Sequence, residues 1–69
     1  GPHRGTASVL TRRELEVLEL VANGATNARI ARALTISEGT VKGHMKHIFR
    51  KLGTANRAEA VSYWLRLNS

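Results

Sequence analysis

Cysteine is absent from this chain of 69 residues, which excludes a disulfide framework and a thiolate metal site. Long apolar runs are absent as well, since no stretch approaches the roughly 20 residues that a membrane-spanning helix needs. No signal peptide is visible at the amino-terminal end. We therefore expect a cytoplasmic protein with no membrane partner.

Acidic residues are few: 5 Asp and Glu stand against 11 Lys and Arg, for a net charge of +6. In a chain of 7.6 kDa this is a strong positive field, which favours a polyanionic partner such as nucleic acid. The charges are also segregated along the sequence. Glu14, Glu16 and Glu19 come early, whereas Lys42 and Lys46 lie on one later helix.

Catalytic and metal-binding patterns are missing too. The early glutamates lie along one helix without side chains that would complete an active site, and no Gly-rich phosphate loop or nucleophile–base arrangement is present. His44 and His47 have the spacing of a helical metal pair, but no third ligand stands out. We therefore predict that the chain is not an enzyme and holds no metal and no cofactor.

The length of the chain fits a single domain. Its first two residues, Gly1 and Pro2, are typical of a protease-cleavage scar, and residues 1–8 are polar and without pattern. We expect a linker over 1–8 and a folded domain over 9–69.

Capping residues and apolar periodicity predict four helices. Thr11 and Glu14 match a capping box at the start of the first helix, whose buried stripe is predicted at Leu15, Leu18 and Ala22, with Val21 adjoining. The other three helices are predicted over residues 27–34, 38–52 and 57–67, with caps at Thr26, Ser37 and Asn56. Because only a short polar turn separates the second helix from the third, the two are predicted to form a helix-turn-helix unit.

The third helix has two distinct faces. Val41, Ile48 and Leu52 recur on one side, with Met45 or His44 between them, and should be core. The opposite side carries Lys42, Gly43, Lys46 and Arg50. A helix of this kind can enter the major groove of DNA, where lysine donates to guanine O6 and N7.

Motifs of several residues follow one another along almost the whole chain. In order they are Leu10-Thr11-x-Arg13-Glu14-x-Glu16-Val17-Leu18, Gly24-x-Thr26-Asn27-x-x-Ile30-Ala31, Ile36-Ser37-x-x-Thr40-Val41-Lys42-x-His44, Lys51-Leu52-Gly53 and Arg57-x-Glu59-Ala60-Val61. With this order and spacing, residues 9–67 resemble the LuxR-type DNA-binding domain. That domain is the carboxy-terminal output module of FixJ/NarL-like response regulators and of quorum-sensing regulators.

The resemblance implies an all-α, four-helix domain that binds double-stranded DNA as a dimer through its fourth helix. By position, the residues that read bases would be Lys42, Gly43 and Lys46. Gly43 departs from many relatives, because it lacks an apolar side chain that could meet a thymine methyl group. Arg29 also departs, since the family usually has an acid there.

Further contacts are predicted from position on the helices. Exposed amides at helix N-termini favour phosphate, and basic side chains near the end of the third helix should lie near the DNA backbone. The predicted backbone contacts are Thr26, Asn27, Thr40, His47, Arg50 and Lys51. The fourth helix carries more apolar surface than one stripe can bury, so Tyr63 and Trp64 are predicted to contribute to the dimer.

The predicted function is sequence-specific DNA binding, as the carboxy-terminal output domain of a bacterial transcription regulator of the two-component response-regulator type. The predicted target is a pair of inverted half-sites, with RNA polymerase as a further partner. Two alternatives stay open at this point. One is a module like region four of sigma factors, which works only with RNA polymerase; the other is a helical protein-interaction domain.

Overall fold

Residues 10–67 are described by the computed structural model, and they fold into four α-helices. The helices are α1 (Arg12–Ala22), α2 (Asn27–Leu34), α3 (Glu38–Leu52) and α4 (Arg57–Leu67). The predicted all-α, four-helix architecture is confirmed, and α2 and α3 have their predicted bounds. The predicted scar and linker over residues 1–8 lie outside the described residues.

Side chains cap the helices where the sequence places them. Thr11 Oγ1 accepts from the Glu14 amide at 3.1 Å, and Glu14 Oε1 accepts from the Thr11 amide at 2.9 Å, which completes the predicted capping box. The N-caps of the later helices are Thr26, Ser37 and Asn56, whose side chains accept from amides at 3.2, 3.0 and 3.0 Å. Each cap satisfies an amide that the first helical turn leaves without a partner.

The turn between α2 and α3 fixes the direction of α3. Thr35 ends α2 in the left-handed region, with φ 58° and ψ 49°, a conformation that a β-branched residue rarely adopts. The Ile36 amide then donates back to the Ala31 carbonyl at 2.9 Å, and the Ile36 side chain packs against the core. The chain therefore reverses within a few residues, and α3 is held across α2 as in a helix-turn-helix.

The buried stripe of α1 differs from the predicted one. Leu18 and the adjoining Val21 are buried as expected, but Leu15 and Ala22 are only half-buried, and the fully enclosed Val17 was not predicted. The reason is that α1 packs against both α3 and α4, which moves its apolar face toward Val17. Glu14 also falls on this buried face.

Helix α3 lies at the centre of the fold, in contact with α1, α2 and α4. Its inner face is Val41, Met45 and Ile48, all buried, with Met45 rather than His44 on the inside. Leu52, the last residue of the predicted stripe, is half-buried and packs against this core. Because this face is enclosed, the opposite face of α3 is the one turned to solvent. In the described part of the chain, no helix combines the length and apolarity needed to cross a bilayer.

Candidate nucleic-acid interface

The outer face of α3 carries the residues predicted to meet DNA. Lys42, Gly43, Lys46 and Arg50 are all exposed. Lys42 and Lys46 lie one turn apart, so their ammonium groups can reach along the same side of the helix. The packing of the core thus fixes which side of α3 presents positive charge.

Gly43 lies between the two lysines with open space around it. A Cβ built at this position would meet no atom within 4 Å, so nothing in the fold requires glycine there. An interior glycine costs a helix about 1 kcal/mol relative to alanine. Because Gly43 has no side chain, another molecule can approach the α3 backbone closely between the two lysines.

A groove of about 460 Å³ joins this face to two other parts of the fold. It brings together the first residue of α2, one flank of α3 and the residues around the start of α4. Its lining residues are Asn27, Lys42, Met45, Lys46, Phe49, Ala55, Asn56 and Arg57. Two of the three predicted base readers therefore share one concavity with Asn27, a predicted backbone contact.

Two of the other predicted phosphate contacts use their hydroxyls within the fold. Thr26 Oγ1 accepts from the Arg29 amide at 3.2 Å, and Thr40 Oγ1 lies 2.9 Å from Ser37 Oγ. Both threonines are exposed at the first turn of a helix. They can thus stand beside a phosphate, while the amides of the same turn supply the positive end of the helix dipole.

Lys51 has a structural partner that the sequence did not indicate. Its Nζ lies 2.7 Å from Oε1 of Glu14, whose side chain is only 5% exposed. His47 Nδ1 lies 3.9 Å from the other oxygen of the same carboxylate. Lys51 therefore joins the end of α3 to the start of α1, in addition to its predicted place near the DNA backbone. Arg50 lies in the same last turn and is exposed as well.

The Glu14 carboxylate is stabilised in its charged form. Burial by itself raises its pKa, but the hydrogen bond from Lys51, the bonds from Thr11 and the charge of Lys51 outweigh burial, so the pKa lies below its ordinary value. A carboxyl whose pKa is lower in the folded chain than in the unfolded one stabilises the fold above the unfolded pKa. That contribution is lost as pH falls through the folded pKa.

Glu14→Gln should therefore destabilise the domain by about 1.5–3 kcal/mol at pH 7, because a charge-assisted hydrogen bond is lost while glutamine still serves the capping box. Below pH 4.5 the wild type progressively loses this contribution as pH falls through the lowered pKa of Glu14, so the difference in stability between the two proteins should shrink. Urea unfolding of both at pH 7 and pH 3 measures the effect. Glu16→Gln is the control, since Glu16 forms only a half-exposed pair with Arg13 at 3.4 Å. An equal difference in the free energy of unfolding between the wild type and Glu14→Gln at both pH values would contradict the ion-pair explanation.

The residues predicted for the dimer are both half-buried on α4. Trp64 packs against the core, and the Tyr63 ring lies 5.7 Å from the Arg66 guanidinium carbon. Leu65 is the large apolar residue that is most exposed among residues 10–67, at 56%. Sequence reasoning did not single it out. The sequence indicates its exposure through helical spacing, which places Leu65 on the same outer face of α4 as Ala58 and Ser62.

Arg57 is a second residue to which sequence reasoning gave no role. Its guanidinium donates to Asn27 Oδ1 at 2.8 Å and to the carbonyl oxygen of Ala25. These partners lie 30 and 32 residues earlier in the chain, so no local pattern could have indicated the contacts.

Comparison with known proteins finds similarity to bacterial regulatory proteins. A sequence model for the family described as "Bacterial regulatory proteins, luxR family" matches residues 8–64. The chain is 47% identical over 57 residues to the CsgBAC operon transcriptional regulatory protein of Escherichia coli (strain K12), covering 83% of this chain and 26% of that protein. It is 44% identical over 66 residues to the nitrate/nitrite response regulator protein NarP of the same strain, covering 96% of this chain and 31% of that protein.

A third similarity comes from a different bacterium. The transcriptional regulatory protein DegU of Brevibacillus brevis is 46% identical over 59 residues, covering 86% of this chain and 25% of that protein. The chain thus spans between 25% and 31% of the length of these three curated relatives.

Proposed function

This chain belongs to the luxR family of bacterial regulatory proteins, and we propose that it is the DNA-binding output domain of a bacterial transcription regulator. Its similarity to a protein named as a response regulator, over 31% of that protein's length, supports the two-component type. Binding to the chromosome also gives the domain its place of action, the cytoplasm.

The observation that carries the proposal is the exposed cationic face of α3, fixed outward by its buried Val41, Met45 and Ile48. An α-helix fits the major groove of B-DNA, where Lys42 and Lys46 can donate to guanine O6 and N7. Gly43 allows the backbone between them to come close to base edges.

Phosphate contacts position this helix in the groove without reading sequence. The first turns of α2 and α3 offer the amide groups beside Thr26, Asn27 and Thr40, while His47 and Arg50 lie farther along α3. Lys51 remains in the proposed set only through the outer side of an ammonium already paired with Glu14. Each neutralised phosphate releases condensed counterion, so affinity should fall steeply with salt.

Dimerisation through α4 completes the proposal. Leu65, with the flanking Tyr63 and Trp64, supplies apolar surface for a second copy, which would place two α3 helices on inverted half-sites. RNA polymerase is proposed as the further partner through which bound DNA affects transcription.

Lys46→Ala tests base reading directly. On a duplex selected from a random pool by the wild-type domain, we expect a loss of about 1–3 kcal/mol, and a much smaller loss on unselected duplex. Arg50→Ala is the matched control, since it removes one exposed charge from the same helix. It should weaken binding to both duplexes by similar factors. The salt slope, which is the slope of log affinity against log salt concentration, should fall in magnitude by about one unit.

Titration of both variants against both duplexes over a salt series makes the measurement. Equal losses on both duplexes for Lys46→Ala would reduce this residue to a phosphate anchor. Binding that appears only with RNA polymerase would favour the sigma-factor-like alternative, and no binding even at low salt would favour a protein-interaction domain.

A further inference from the structure

Arg57, the first residue of α4, makes hydrogen bonds to residues at the start of α2. Its side chain is half-buried, and its two terminal nitrogens have different partners: Nη1 donates to Asn27 Oδ1 at 2.8 Å, and Nη2 donates to the carbonyl of Ala25. A guanidinium is a rigid planar fork, so two such contacts fix both its position and its orientation. Arg57 therefore joins the proposed dimerisation helix to the helix-turn-helix unit.

The contact with Arg57 also determines how Asn27 presents its amide. Oδ1 and Nδ2 lie on opposite sides of Cγ, and a guanidinium can only donate. Because Oδ1 is the atom that accepts from Arg57, Nδ2 is left as a donor on the other side. Asn27 lines the same groove as Lys42 and Lys46, so this donor belongs to the surface proposed to meet DNA.

The guanidinium of Arg57 lies beside the N-terminus of α2. The N-terminus of a helix is the positive end of its dipole, which favours anions and disfavours cations. The first turn of α2 has no acidic residue, and residues 10–67 provide no ion pair for Arg57, although Glu38 lines the hollow beside it. The helix dipole and the free amides of the first turn of α2 make this corner attractive to a phosphate, which the Asn27 amide can then meet.

We propose that Arg57 is a positioning residue for DNA-backbone binding: it holds the Asn27 side chain so that Nδ2 donates to a phosphate at the start of α2. This rests on the proposed function. It adds that α4, through Arg57, determines the geometry of a DNA contact made by α2. A change in α4 would then alter the phosphate contact made by Asn27 of α2 without any change in α3.

A double-mutant cycle on a duplex with a single half-site tests the inference. Arg57→Met keeps the aliphatic stem and removes the donors, and Asn27→Ala removes the amide. Each should weaken binding about tenfold, the loss of one hydrogen bond to a charged group. The double variant should be little weaker than Asn27→Ala alone, because Arg57 acts through that amide. Arg66→Met, which removes the same charge from the far end of α4, is the control.

The salt slope separates positioning from direct contact. A positioning role leaves the slope close to that of Arg66→Met, since no phosphate-bound cation has been removed. A slope lower by about one unit would mean that Arg57 itself neutralises a phosphate, and would overturn the inference. Unchanged affinity below the melting temperature would overturn it too, because Arg57 would then serve the fold alone.

Asn27→Asp keeps the test decisive if Arg57→Met folds poorly. Aspartate still accepts from Arg57, so the fold should be at least as stable, but it has no NH₂ donor and repels phosphate. We expect binding to weaken more than with Asn27→Ala, and wild-type affinity would overturn the inference. If the wild-type domain does not bind DNA, the proposed function fails as well. If it binds DNA and the losses of Arg57→Met and Asn27→Ala add up in the double variant, only this inference fails.

Discussion

Ile48→Asp is expected to unfold the domain completely. Ile48 has no exposed surface and lies on the inner face of α3, which packs against each of the other three helices. A domain of this size has roughly 3–10 kcal/mol of stability. Removing a large core side chain costs about 2–5 kcal/mol, and an unpaired buried carboxylate adds a penalty of several more. The summed cost is therefore as large as the whole stability of the fold.

Gly43→Asp is the matched control for this prediction. It introduces the same charge on the same helix, but at an exposed position where a new Cβ meets no atom within 4 Å. It should keep wild-type ellipticity at 222 nm and lose DNA binding, because a carboxylate would face the negative DNA. Ile48→Asp should lose both. A variant Ile48→Asp that melts like wild type would mean that the inner and outer faces of α3 have been exchanged.

The parts of this fold that depend on neighbours in sequence were predictable. Caps such as Thr11, Thr26 and Ser37 act on amides three residues away, so local chemistry determines where the helices begin. The two faces of α3 follow from a repeat that the helix itself carries. Both were read correctly from the sequence.

Features that depend on packing between distant segments were not predictable. The buried face of α1 is shifted because two helices enclose it, and periodicity alone does not reveal how many neighbours a helix has. Lys51 looked like any basic residue at a helix end, yet it pairs with Glu14, 37 residues earlier. Arg57 reaches back 30 residues to Asn27 in the same way. The candidate site is therefore a local pattern on α3, supported by long-range contacts that only the fold reveals.

Leu65→Asp is expected to remove the preference for paired half-sites. One pair of α4 helices buries less than a standard interface, so the free domain should be a monomer that dimerises on DNA. There, linking two domains can raise affinity for inverted half-sites about one helical turn apart by roughly 10²–10⁴.

Aspartate in place of Leu65 would remove the apolar contact with the second copy and place a buried carboxylate from each copy in the interface. Affinity for a single half-site should stay close to wild type, which makes that duplex the internal control. Sedimentation of the free domain, with titration of single and paired duplexes, measures the effect. A paired-to-single ratio that Leu65→Asp leaves unchanged would exclude this face of α4 as the contact between copies.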